Sequence, residues 1–264
     1  MTPDPAPLLA AYDARLRVET AGAVSVARRG PLRMATYAGG RGFVTYPRLE
    51  AVDAATVRGW VAAVVDHYAA DDEITRVEWK SREHDDAAGL HEALLEHGFV
   101  AQEPEAVMIG ETRLLAVDVA LPDGVSVRRV TGEADVRAMC RMLDEAFGAP
   151  GPERRVEELL DRLSLRDGRE LWVAEADRTM VAAGRLEPVA GTEFAGIWGG
   201  ATLPQWRGRG LYRALTAARA RSALAQGRTL LHSDSTAFSR PILQRAGLVR
   251  VSTTTPYDWH RSEN

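Results

Sequence analysis

The run Thr202-Leu203-Pro204-Gln205-Trp206-Arg207-Gly208-Arg209-Gly210, followed directly by Leu211-Tyr212-Arg213-Ala214-Leu215, constrains this chain more than any other stretch. An apolar, strand-like segment from Phe194 to Thr202 enters a short loop with two glycines, and helical periodicity begins at Gly210 or Leu211. A strand, a glycine loop and a helix N-terminus together make an anion site. The first-turn N–H groups have no intrahelical acceptor, and the helix dipole favours negative charge there. Glycine matters because a Cβ would hold a phosphate oxygen away from the backbone. Residues 205–211 are therefore expected to bind a phosphorylated cofactor.

Two well-known anion loops do not fit. A Walker loop needs a lysine after its last glycine, and Leu211 follows Gly210. A dinucleotide fingerprint needs a third glycine, and Gly208-Arg209-Gly210-Leu211-Tyr212-Arg213 has only two. The segment instead resembles the acetyl-coenzyme-A loop of the GNAT acetyltransferase superfamily, [QR]-x-x-G-x-[GA]. Gln205, Gly208 and Gly210 fill its defined positions, and Pro204 stands where that family often has proline.

The surrounding order of elements extends the resemblance over about 135 residues. Val125 to Val130 alternates like a strand. Thr131 is expected to cap a helix with Glu133 and Asp135 in its first turn and Val136, Met139, Cys140, Leu143 and Phe147 on one face. Gly148-Ala149-Pro150-Gly151-Pro152 breaks it, and a second helix carries Val156, Leu159, Leu160 and Leu163. Leu171–Ala176 and Met180–Val189 read as a hairpin around Asp177-Arg178. The strand 193–202, the loop, a helix from Leu211 to about Ala225, a strand at 229–232, a short helix from Ser239 to Ala246 and strands at 248–252 and 256–259 complete the GNAT series. The expected class is α/β with a mixed sheet.

With 264 residues the chain has room for two domains, and Leu121-Pro122-Asp123-Gly124 is a turn-rich joint. Upstream, a strand at 41–46, a helix after Asp53 with a Val57/Trp60/Val61/Val64/Val65/Tyr68 stripe, a strand at 74–80 and a helix from Gly89 to His97 closed by Gly98 repeat the second half of the downstream unit. Leu94-Leu95-Glu96-His97-Gly98-Phe99-Val100 aligns with Leu243-Gln244-Arg245-Ala246-Gly247-Leu248-Val249. The copy lacks an anion loop, since Tyr46-Pro47-Arg48-Leu49-Glu50-Ala51-Val52 has no glycine. The reading is a tandem protein: a degenerate GNAT-like domain over 1–120 and an acetyl-CoA-binding domain over 121–264. An unrelated α/β cap is the competing reading of the upstream half.

A net charge of −4 and a pI near 5.9 argue against nucleic-acid binding through a basic face. The arginines after the loop, Arg213, Arg219, Arg221 and Arg228, read as a solvated helix face. One cysteine, Cys140, excludes an internal disulfide, fits a reducing cytoplasm and lies on an apolar helix stripe as a core thiol. Neither a signal peptide nor a membrane span is legible, and the six histidines show no metal-ligand spacing. A cytoplasmic protein without a metal is expected, acting on a small-molecule amine, with a homodimer left open.

The resemblance implies the chemistry. An amine attacks the thioester of acetyl-CoA (or another acyl-CoA) directly, while the protein positions both, stabilises the oxyanion and manages protons. The pantetheine arm would pair with Ala201, Thr202 and Leu203. The phosphates would meet Gln205, Trp206, Arg207, Gly208, Arg209, Gly210 and Leu211, and Ser239 completes the cofactor set. Gly199 and Gly200 after Trp198 are expected at the opening between this strand and its next neighbour. Asp234 is the candidate base, against a reading as a turn or cap residue; Glu187 and Glu193 are further candidates. The family's general-acid tyrosine, four residues before the helix-ending glycine, is Leu243 here, and its upstream asparagine is Thr236. Tyr257, water or unassisted thiolate departure would take that role. The acceptor would sit near Phe147–Glu153, Trp198 and Phe238, with Glu153, Glu157 and Glu158 as attractors of a cation. The departure at Leu243 keeps a second reading open, an acyl-CoA-binding module without turnover.

Overall fold

In a computed structural model of the protein, residues 4–148 and 155–261 are described. The expected helix break at Ala149-Pro150-Gly151-Pro152, Glu153, and the N-terminal Met1-Thr2-Pro3 lie outside them. Contacts divide the chain into two compact units. One comprises Met1–Met108, Asp234–Arg240 and Arg250–Asn264; the other comprises Ile109–Ser233 and Pro241–Val249.

The first unit begins with α1 (Pro5–Arg15), then β1 (Ser25–Arg29), β2 (Leu32–Tyr37) and β3 (Arg41–Thr45). These strands pair antiparallel in sequence order. α2 (Ala54–Ala69) crosses over to β4 (Arg76–Arg82), which lies parallel to β3. α3 (Leu90–Glu96) and β5 (Val100–Ala101) follow. The valine stripe of α2 is buried as its spacing predicts: Val57, Val61, Val64 and Tyr68 join Trp79, Leu94 and Phe99 in one core. The Tyr68 hydroxyl donates to Ala35 O at 2.8 Å, satisfying its polar end inside that core.

β6 (Glu105–Glu111) leads into the second unit, with α4 (Thr112–Leu115), β7 (Val125–Arg129), α5 (Glu133–Phe147), α6 (Arg155–Ser164), β8 (Glu170–Ala176), β9 (Thr179–Pro188) and β10 (Phe194–Thr202). After the loop come α7 (Leu211–Ala225), β11 (Leu230–Ser235), α8 (Arg240–Arg245) and β12 (Val249–His260). β7, β8, β9 and β10 are antiparallel neighbours, and β11 joins β10 in parallel through the α7 crossover. The β8–β9 turn is the expected one: Asp177 and Arg178 both have positive φ, 48° and 63°, as a tight hairpin requires. The cap residue of α5 is Gly132, not the expected Thr131. Val136, Met139, Cys140 and Leu143 of α5 are buried on β8 and β9 residues, whereas Phe147 at the helix end is 62% exposed and leaves the stripe. Burial pushes the Cys140 thiol up, as suits a core thiol.

The last strand differs from expectation. Instead of two strands closing the downstream sheet, β12 is continuous, and its residues 254–260 pair antiparallel with β4 in the first unit. β5 pairs with its Tyr257 and Asp258. Both units are thus mixed α/β layers with a parallel β-α-β crossover. No helix among the described residues is long and apolar enough to cross a membrane.

Candidate functional site

The anion loop is built as its sequence demands. Pro204–Trp206 forms one 3-10 turn, and Gly208 and Gly210 take φ of +74° and +80°, a region costly to any residue with a Cβ. Gly210 is the N-cap of α7 and supplies no side-chain acceptor to the first-turn N–H groups; no acid lies in that turn. A Cβ at Gly208 would meet no protein atom within 4 Å, and one at Gly210 only Ala120 O at 4.0 Å. The helix end therefore has no side-chain cap and no acidic residue in its first turn, and Gly208 and Gly210 leave open space before it. Arginines flank it: Arg207 Nε donates to Thr202 O at 3.2 Å, and the Arg209 guanidinium lies 4.7 Å over the Trp206 ring. Gln205 Nε2 reaches Glu145 Oε1 at 3.4 Å. Ala201 and Leu203 are buried and Leu203 N donates to Val181 O, so this end of β10 is fixed on β9. These residues fit a diphosphate: a helix N-terminus with no side-chain cap, no acidic residue in its first turn, and Arg207 and Arg209 beside it.

Upstream of the loop, β10 parts from one neighbour and buckles against the other. Its parallel pairing with β11 covers only Phe194–Gly196 against Leu230–His232. Beyond Gly196 it runs on with β9 alone, and the register slips between Trp198 and Ala201. Gly199 sits in that bulge with φ +59°. The expected strand opening thus lies where Gly199 and Gly200 were read. The Trp198 indole stands edge-on to His232 with ring centroids 5.1 Å apart.

Arg219 corrects the sequence reading. It is 1% exposed, not part of a solvated face. Its Nη1 donates to Arg185 O at 3.1 Å and Trp198 O at 3.5 Å, its Nε to Leu215 O at 3.1 Å, and its Nη2 to Thr216 Oγ1 at 3.2 Å. Burial lowers its pKa to about 10. Arg213 and Arg221 are exposed as expected. The signal for Arg219 was present: Leu211, Leu215 and Arg219 recur every four residues, which aims the arginine inward with the leucines.

Asp234, Tyr257 and Ser239 group with the first unit. Lys80 Nζ donates to Asp234 Oδ2 at 2.5 Å, with side-chain exposures of 16% and 9%. Burial opposes the Lys80 charge, but Asp234 and Glu78 outweigh it and hold the ammonium above its usual range. Tyr257 Oη is 2.8 Å from His91 Nδ1; burial, then the Glu92 charge, push the phenol up, making it a weaker acid. Ser239 precedes α8, in which Leu243 is fully buried. In the second unit, Glu187 pairs with Arg185 at 3.2 Å and Arg162 at 3.5 Å. Phe238 is 91% exposed. Among the described residues no His, Cys, Asp or Glu cluster is arranged to hold a metal.

Residues 136–241 match the acetyltransferase (GNAT) family in sequence. No curated protein sequence matches the chain. Among solved structures, a GCN5-related N-acetyltransferase from Kribbella flavida superposes with a TM-score of 0.70 at 19% identity, covering 98% of this chain and 96% of that one. A conserved protein from Staphylococcus epidermidis gives 0.68 at 14% identity, covering 91% and 95%. A tandem GNAT protein from the clavulanic acid biosynthesis pathway gives 0.61 at 12% identity, covering 98% and 95%. These likenesses are of fold, and they span both units.

Proposed function

We propose that the protein is an acyl-CoA-dependent N-acyltransferase, with acetyl-CoA as donor and a small-molecule amine as acceptor, a reading supported by the match of residues 136–241 to the acetyltransferase (GNAT) family. The observation that carries this reading is the uncapped N-terminus of α7 behind Gly208 and Gly210, at the end of a strand that parts from its parallel partner after Gly196. The first-turn amides and the flanking Arg207 and Arg209 would hold the diphosphate, and the exposed backbone of β10 would align the pantetheine arm.

In the transfer the neutral amine forms a C–N bond to the thioester carbon, the C–S bond breaks, and the electron pair leaves on sulfur. The amine's extra proton passes to a carboxylate or to water. A backbone N–H of β10 at the bulge would donate to the oxyanion, a contribution of roughly 10²–10³ in rate for such a donor. Asp234 and Tyr257 remain the candidates for the proton steps, Asp234 together with its Lys80 partner; Asp234→Asn and Tyr257→Phe test each through kcat. One observation favours a binding module without turnover: fully buried Leu243 stands at the position of the family's tyrosine.

Calorimetry with acetyl-CoA, followed by thiol release over a panel of amines, tests both. Binding with amine-dependent thiol release is the expected result. Binding without release on any amine favours the module, and absence of binding removes both readings.

A further inference from the structure

Arg219 is a buried cation that donates to four neutral oxygens, those of Leu215, Arg185, Trp198 and Thr216. Burying a charge among carbonyls is expensive, and an apolar side chain of like length often serves stability as well or better. What the guanidinium does is local. It fills the space beside Gly184 on β9, where a Cβ would lie 2.6 Å from Nη1. From there Nη1 reaches Arg185 O on β9 and Trp198 O on β10, the residues paired at the last register before the slip.

The Trp198 carbonyl belongs to the same peptide unit as the Gly199 N–H. The peptide is trans, so that N–H points opposite to the carbonyl. With the carbonyl turned to the β9 side, the Gly199 N–H faces the side of β10 that β11 has left after Gly196. A cation on a carbonyl also polarises its amide and strengthens the N–H as a donor.

We propose that Arg219 is a positioning residue for acyl transfer: lodged in the Gly184 notch, it locks and polarises the Trp198–Gly199 peptide so that the Gly199 N–H is presented as the oxyanion donor. This rests on the acyltransferase reading above. Gly184 is part of the device because any side chain there displaces the guanidinium.

The test uses the full-length protein with Arg219→Met, Arg219→Lys and Gly184→Ala. Affinity for coenzyme A, kcat for thiol release, the infrared carbonyl band of bound [13C]acetyl-CoA and the Gly199 amide signal in a nitrogen–proton NMR spectrum are measured. Arg219→Met and Gly184→Ala are expected to keep coenzyme A affinity within about twofold while kcat falls roughly 10²-fold. The carbonyl band should return toward its value in solution and the Gly199 amide should shift. Arg219→Lys, which keeps the charge and loses the planar fork, should recover part of kcat. An unmoved Gly199 amide, an unchanged kcat, or a kcat loss matched by equal loss of coenzyme A affinity overturns the proposal. Should Arg219→Met not fold, Gly184→Ala decides by the same readouts. If the unaltered protein binds no acetyl-CoA, the acyltransferase reading fails, and the Gly199 amide alone judges the brace.

Discussion

Two glycines bracket α7 with the same backbone angle. Gly208 before the helix and Gly227 after it both have φ +74°, and a Cβ at either would meet no protein atom within 4 Å. Alanine at each position should therefore carry the same purely conformational cost, about 1–2 kcal/mol for an L-residue in the left-handed region. In a chain of this size that is a fall of ~2–8 °C in the unfolding midpoint. The two variants should differ in ligand binding. At Gly208 the new methyl occupies space that the diphosphate needs, and pushing the phosphates off two backbone N–H donors, at about 1.5 kcal/mol each, amounts to ~3 kcal/mol or ~10²-fold in Kd. Gly227 closes the other end of the helix through Arg228 N donating to Ala223 O at 2.8 Å, so Gly227→Ala should keep full affinity. Thermal unfolding and calorimetry with acetyl-CoA on both variants give the comparison. Equal affinity in the two would show that position 208 does not touch the ligand, and the anion site would have to be sought elsewhere.

Gly210→Glu should abolish acetyl-CoA binding with an unchanged far-ultraviolet circular dichroism spectrum, since it sets a carboxylate at the open helix end; retained affinity would contradict the site. Lys80→Met should destabilise by about 3 kcal/mol in urea unfolding, because it takes the ammonium away from the buried Asp234 carboxylate, and adding Asp234→Asn should recover much of that loss; additive losses would count against the pair. Asp13 is raised by burial, but its hydrogen bond and charge contact with His84, aided by Arg17, more than offset this and hold its carboxyl below the usual range. Such a group contributes stability above its unfolded value of ~3.9 that is lost as pH falls through the lower folded value. Asp13→Asn should thus be less stable than the parent at pH 7, with the difference closing as the pH falls below the lowered folded value; a deficit that does not shrink in acid would refute the linkage.

What could be read from residues alone follows the strength of local rules. The bounds of α7, the Asp177-Arg178 turn and the glycine loop were legible because caps, turns and anion loops are short-range chemistry. β1 was not read: Ser25-Val26-Ala27-Arg28-Arg29 is exposed along nearly all its length, so no buried face imprints an alternation. β12 read as two strands because Pro256 interrupts the pattern. The proline sits inside the strand opposite Lys80, and its carbonyl accepts from Gln102 N at 2.8 Å. Arg219 was misread because α7 buries Ala214, Ala217, Ala218, Ala220 and Ala223 around much of its circumference. A helix clothed in alanine has a weak polar–apolar contrast, so the inward row of Leu211, Leu215 and Arg219 stands out little from its neighbours.

The same crossover occurs in both units with opposite consequences for an anion. β3, α2 and β4 form a parallel pair linked by a helix, as do β10, α7 and β11. α2 begins at Asp53, whose Oδ1 accepts from Ala55 N at 3.0 Å and Thr56 N at 2.9 Å, while Oδ2 takes the Thr56 hydroxyl at 2.7 Å. The backbone hydrogen bond from Thr56, followed by its hydroxyl, holds this carboxyl below the usual range, so it stays ionised at neutral pH. A carboxylate of the chain's own already occupies the positive end of α2, and a phosphate arriving there would meet a filled site and like charge. α7 begins at Gly210, which satisfies none of those donors. The difference between a helix end that stabilises only its own fold and one open to a ligand therefore reduces to the residue at the cap. That is a physical reason, independent of family likeness, to seek acyl-CoA in the second unit.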